Sequence, residues 1–171
     1  MGEECRKEEC GRIAALLLAV CGDCFMNWIM LTWCLRLLTG GVLLASALGK
    51  SLDLQGFADV LVTYRLFPDW SLWLLALRIT GIEWGLTAWI LVGWRLPTGA
   101  LLAMMLNSLY AIGLIVTLFR GLDLPNCGCY GVFFPQPLRW YSPLEDLALA
   151  GICYALYVGA QVSRTTLDTV S

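Results

Sequence analysis

Residues 98–119, TGALLAMMLNSLYAIGLIVTLF, decide the fold class. They hold no charged side chain. As a helix rising 1.5 Å per residue they cover about 33 Å, enough for the roughly 30 Å hydrocarbon core of a bilayer. Runs of similar character occupy 28–49, 71–93 and 144–162. Of the 171 residues 59% are hydrophobic and 14% charged, where soluble domains carry about 25% charge. Eight Trp and six Tyr suit a chain with two membrane–water interfaces.

Trp94-Arg95 leaves room only for a tight turn before 98–119, with Pro97 in the first turn of the next helix, so the second and third spans are antiparallel neighbours. In the connector 51–69, Leu54, Phe57, Ala58, Leu61 and Val62 recur at helical spacing before Pro68. That pattern predicts an amphipathic helix at the interface. The expected fold is an all-α membrane protein, a four-transmembrane-helix bundle with a short interfacial helix between spans one and two. The bundle occupies 28–162, preceded by an extension over 1–27 and followed by a polar tail over 163–171. The extension sets Glu3, Glu4, Glu8 and Glu9 against Arg6, Lys7 and Arg12, unlike the positive start of a secretory signal. Its apolar run 13–20 is too short to span, and Met26 is an alternative natural start. Arg6, Lys7, Arg12, Arg95 and Arg164 against Lys50, Arg65, Arg120 and Arg139 favour both termini inside and the loop 122–142 outside.

The absence of histidine removes Ser-His-Asp and Cys-His nucleophile systems and His-ligated haem or metal. A net charge of −2 offers no basic field to nucleic acid. Cys127-Gly128-Cys129 in the 122–142 loop is the sharpest remaining feature. Thiols one residue apart close a disulfide only in a small, bent ring, and Gly128 eases the backbone demand. A strained disulfide passes its oxidation on readily, and Arg120 or Arg139 nearby would favour the thiolate. The spacing alone also fits a structural disulfide or two idle thiols. Cys21 and Cys24 have dithiol spacing without the strand–helix unit that carries such motifs. They are expected at the opposite face, so no metal site joining the two pairs is expected. Cys34 and Cys153, within spans, read as small buried apolar residues.

The polar residues inside the spans come second: Arg36, Arg78, Glu83 and Asn107. A charge at the bilayer centre costs at least about 2.5–3.5 kcal/mol and normally faces a partner inside the bundle. Arg78 lies about 140° round the helix from Glu83. Arg36 on the first span is therefore the expected partner of Glu83, with Asn107 within reach of either. This set reads as a polar clamp between helices, or as a proton or quinone site beside the thiol loop.

Several elements in order, across 35–157, resemble the MauE (methylamine utilisation) family within the wider DoxX-like group. They are Arg36 with Gly40 and Gly41, Gly49-Lys50, Phe57-Ala58, Tyr64-Arg65, Glu83 with Gly85, and Arg120-Gly121 leading into Cys127-Gly128-Cys129-Tyr130-Gly131. Tyr130 stands where the family usually has Phe, and Glu145-Asp146 open the last span where it is usually Arg-led. The resemblance implies a bacterial inner-membrane protein linked to disulfide handling, with a thioredoxin-like partner or an exported, disulfide-rich client such as the small subunit of methylamine dehydrogenase. The expected function is a membrane thiol–disulfide protein acting through Cys127 and Cys129, with no firm cofactor beyond a candidate quinone. A non-enzymatic assembly or export factor and a membrane subunit of a quinone-linked oxidoreductase are the alternatives.

Overall fold

The computed structural model describes residues 29–170, apart from the side chains of Asp69 and of 163–170. Cys21 and Cys24 lie outside the described residues. Residues Leu35–Ser171 form one compact unit. The other, Met1–Cys34, is described only from the start of the first helix, where Cys34 is exposed rather than buried.

Among the described residues there are five helices and no strand. They are α1 (Ile29–Leu52), α2 (Leu54–Thr63), α3 (Asp69–Val92), α4 (Leu96–Phe119) and α5 (Ser142–Val170). Four of them are long and apolar enough to cross a membrane: α1, α3 and α4 whole, and α5 over Ser142–Val162. Their outer surfaces carry large apolar side chains, among them Leu77, Ile82, Met105, Leu109 and Ile112. Ala47, Ala76, Ala100, Ala103 and Ala111 are buried between helices, together with Ser46, Lys50, Glu83, Asn107 and Asp146. Apolar bulk outside with small and polar residues inside is the distribution of a multi-pass membrane protein, where lipid replaces water and helices approach through small residues. Three buried hydroxyls are satisfied locally: Thr80, Thr87 and Thr117 donate to carbonyls four residues back.

The short helix appears where the sequence placed it. Asp53 caps it, its carboxylate accepting from Gly56 N–H at 2.8 Å, and Phe57 and Ala58 pack against Ala76 on α3. At the other end of the bundle, Gly93 ends α3 with a left-handed φ of 80°. Arg95, at φ 46°, then reverses the chain into α4. Arg36 is bound here and not to Glu83. Its guanidinium donates to the carbonyls of Ile90 at 2.8 Å and Leu91 at 2.5 Å. A helix C-terminus leaves such carbonyls without intrahelical donors and carries partial negative charge, which suits an arginine. Arg78 is exposed on the outer face of α3, consistent with its angular distance from Glu83.

Candidate functional site

Chain order puts the α1–α3 connection and the α4–α5 loop at the same end of the bundle. There the loop is held closely in place. Cys127 N–H donates to Gln136 O at 2.7 Å and Leu138 N–H to Leu124 O at 2.9 Å, so 124–127 and 136–138 run as a narrow ribbon. Asn126 shapes its tip: Oδ1 accepts from Gly128 N–H at 2.9 Å and Nδ2 donates to Gly131 O at 3.1 Å. Gly128 sits at φ 74°, against Phe57 and Val60 of α2. The loop meets α1 backbone to backbone: a Cβ on Gly49 would lie 2.2 Å from Tyr130 O. Tyr64 OH donates to Cys127 O at 2.5 Å. Arg120 donates to the carbonyls of Tyr64 at 2.9 Å and Arg65 at 3.3 Å. Arg120 is therefore engaged in fixing the loop's base.

This seat places the two sulfurs 3.1 Å apart as free thiols. A disulfide needs about 2.05 Å, so the pair lies about 1 Å from bonding distance. Cys127 is 6% exposed, among Tyr64, Leu114, Leu124 and Leu138, and Cys129 is half-buried beside it. The hydrogen bond from Cys129 stabilises a Cys127 thiolate and holds that thiol down at about 7. The bond to Cys127 and burial both push the Cys129 thiol up. One proton therefore leaves the pair easily and the second is retained. Burial, then the two thiols, raise the Tyr64 phenol, which keeps it a donor to the Cys127 carbonyl.

Beneath the loop lies a buried polar cluster. Lys50 Nζ is 2.5 Å from Glu83 Oε1, with exposures of 2% and 0%. Tyr110 OH donates to the same oxygen at 2.8 Å. Lys50 also donates to Ser46 Oγ at 2.8 Å and lies 5.2 Å from the ring centroids of both Phe57 and Tyr110. The Ser46 hydroxyl is 2.8 Å from Cys129 O and 3.1 Å from Glu83 Oε1, and its single proton serves one of them at a time. A cavity of about 40 Å³ touches Ser46, Glu83, Asn107, Tyr110, Cys129 and Asp146. Asn107 lines it while its own amide donates to Ala103 O at 2.8 Å. The cavity is far below the roughly 300 Å³ at which small-molecule pockets begin.

Cys127, Gly128 and Cys129 thus come together with Glu83 and Asn107, whereas Arg36 and Arg78 lie elsewhere. Lys50, counted in the sequence with Arg65, Arg120 and Arg139 among the outer cations, turns inward and takes the place expected of Arg36. Its four-residue spacing from Ser46, on one helix face, was the available signal. Asp146, Tyr64, Tyr110 and Asn126 were also missed. Of these, Asp146 stood out as an acid at a span's mouth, and Tyr64 only as part of the Tyr64-Arg65 element of the family resemblance.

Fold and site together define a four-span membrane protein with a dithiol loop seated over a buried ion pair. The family of the methylamine utilisation protein MauE matches over residues 26–159, and the chain belongs to that family. The methylamine utilization protein MauE of Paracoccus denitrificans is 27% identical over 135 residues, which cover 79% of this chain and 73% of the relative. No solved structure matches.

Proposed function

We propose that this chain is a membrane thiol–disulfide protein that supports maturation of exported, disulfide-containing proteins in methylamine utilisation. The observation that carries the reading is the pair of free sulfurs at 3.1 Å on a loop that turns at Gly128, at one end of the bundle. In the reducing direction the Cys127 thiolate attacks one sulfur of a partner disulfide, forms a mixed disulfide and expels the partner's other sulfur as a thiolate. Cys129 then loses its proton and attacks Cys127 Sγ, releasing the second partner thiolate. Two electrons pass to the partner, whose two thiolates take up protons from solvent. The reverse sequence oxidises the partner. The partner class is a thioredoxin-like protein or a disulfide-rich client, met on the outer side of a bacterial inner membrane.

The test is redox trapping in intact cells with a membrane-impermeant thiol reagent, before and after reduction. Labelling of Cys127 and Cys129 that depends on reduction, with loss of function in Cys129→Ser, is expected. Thiols that never change state would overturn the reading. The tight backbone seat of the loop favours a second reading, a non-enzymatic assembly factor whose cysteines only shape the loop. It requires the double serine variant to lose stability and keep partner binding.

A further inference from the structure

Closing the Cys127–Cys129 disulfide requires the thiol that stays protonated to lose its proton inside the protein. Cys129 lines the cavity, and so do three carboxylates, of which Glu83 and Asp146 are buried and Glu145 is exposed. Glu83 is committed through Oε1 to Lys50, Ser46 and Tyr110, while its Oε2 is buried with no hydrogen-bond partner among the described residues. Asp146 is 7% exposed, and its buried Oδ2 likewise has no partner among the described residues. Leaving such oxygens unpaired in a low-dielectric bundle is costly. The cavity volume of about 40 Å³ exceeds the roughly 10–15 Å³ that one water needs. The polar groups facing it from each element are Ser46 on α1, Glu83 on α3, Asn107 and Tyr110 on α4, Glu145 and Asp146 on α5, and Cys129 and Tyr130 on the loop, with Lys50 behind them on Ser46 and Glu83. Lys50 pairs with Glu83, which leaves Asp146 as the buried carboxylate with an unpartnered oxygen and no salt bridge among the described residues.

We infer that the cavity is a water-bridged proton site in which Asp146 receives the Cys129 proton as the disulfide closes and returns it when the disulfide opens. The inference rests on the thiol–disulfide reading and adds a proton path to it. In the closing step the Cys129 S–H bond breaks and its proton passes through water to Asp146. The freed sulfur electron pair forms the S–S bond to Cys127, and the Cys127–partner bond breaks with its electrons on the partner thiolate. Glu83, bound through Oε1 to Lys50, Ser46 and Tyr110, keeps the cavity wall polar. Asp146 acts on Cys129 through water, so its role is to position and hold a proton.

The experiment uses the full chain in lipid nanodiscs with glutathione disulfide as probe. Acid-quenched samples are resolved by mass into dithiol, glutathione mixed disulfide and intramolecular disulfide. In Asp146→Asn the mixed disulfide should form at close to the wild-type rate. Its closure should slow at least about 100-fold near neutral pH, the low end for loss of a positioned base, with the deficit shrinking as pH rises. Asp146→Glu should restore closure. Closure in Asp146→Asn at the wild-type rate across the pH range would overturn the inference while leaving the thiol–disulfide reading standing. If Asp146→Asn does not fold, the wild type alone decides. An internal acceptor predicts closure nearly flat above neutral pH, and a rise of about tenfold per pH unit overturns it. A wild type that takes up no glutathione at either thiol overturns the thiol–disulfide reading, and this inference with it.

Discussion

Gly49→Ala tests whether the loop's seat on α1 sets the state of the thiols. The new Cβ would lie 2.2 Å from the Tyr130 carbonyl oxygen and 2.9 Å from its carbon, both backbone atoms with no rotamer to give way. Ordinary contact begins near 3.4 Å, so loop and helix must part by roughly 1 Å, an overpacking cost of about 1–3 kcal/mol. That cost falls on the seated loop and not on α1, where alanine is the better helix former by about 0.5–1 kcal/mol. The population of the displaced loop should therefore rise about 5- to 140-fold. The assay is the alkylation rate of Cys127 and Cys129 by a maleimide, counted by mass in nanodiscs. Gly41→Ala is the matched control: it lies on the same helix, is exposed, and would meet nothing within 4 Å. The reasoning fails if Gly49→Ala alkylates at the wild-type rate, or if Gly41→Ala accelerates alkylation equally.

Three further outcomes are expected. Lys50→Met or Glu83→Gln alone should destabilise the bundle by about 3–5 kcal/mol by leaving a buried charge uncompensated, and the double variant should recover much of the loss in chemical denaturation. Tyr64→Phe removes the donor to the buried Cys127 carbonyl, costs about 1–3 kcal/mol, and should raise thiol alkylation without altering the spans' helical circular dichroism. Alkylation of Cys127 should rise with pH and level off above about 7, because the thiolate is the nucleophile and its population grows as pH passes the pKa. Cys129→Ala removes the stabilising donor and should move that midpoint upward.

The spans were legible because length and absence of charge suffice. Residues 98–119 can do little else, and Gly93 and Pro97 bracket the turn before them. The polar partners were not legible, because each depends on how two helices cross. Arg36 and Lys50 lie on the same helix, and the sequence points to Arg36 as the partner of Glu83. The structure instead places Arg36 at the end of α3, beside Ile90 and Leu91, and Lys50 beside Glu83. A lysine at a span's end normally snorkels to the interface. Here Phe57 and Tyr110 cover it, and Phe57 belongs to the helix that follows the break at Asp53. The contact between Gly49 and the Tyr130–Gly131 peptide is likewise tertiary, and no local pattern announces it.

The ion pair and the thiols form one mechanical unit. Ser46, Gly49 and Lys50 lie at spacings of three and four on one face of α1. Lys50 locks that face to Glu83, Gly49 receives the Tyr130 peptide, and Ser46 is within bonding distance of the Cys129 carbonyl. A buried ion pair adds little net stability over apolar packing, but it fixes register, because every other alignment leaves a charge unpaired. Sliding or rotating α1 against α3 would therefore separate Lys50 from Glu83 and move the seat of the loop in the same motion. The 3.1 Å separation of the sulfurs thus depends on a charge pair that never touches them. Glu83→Gln should accordingly disturb thiol reactivity even where the bundle survives it.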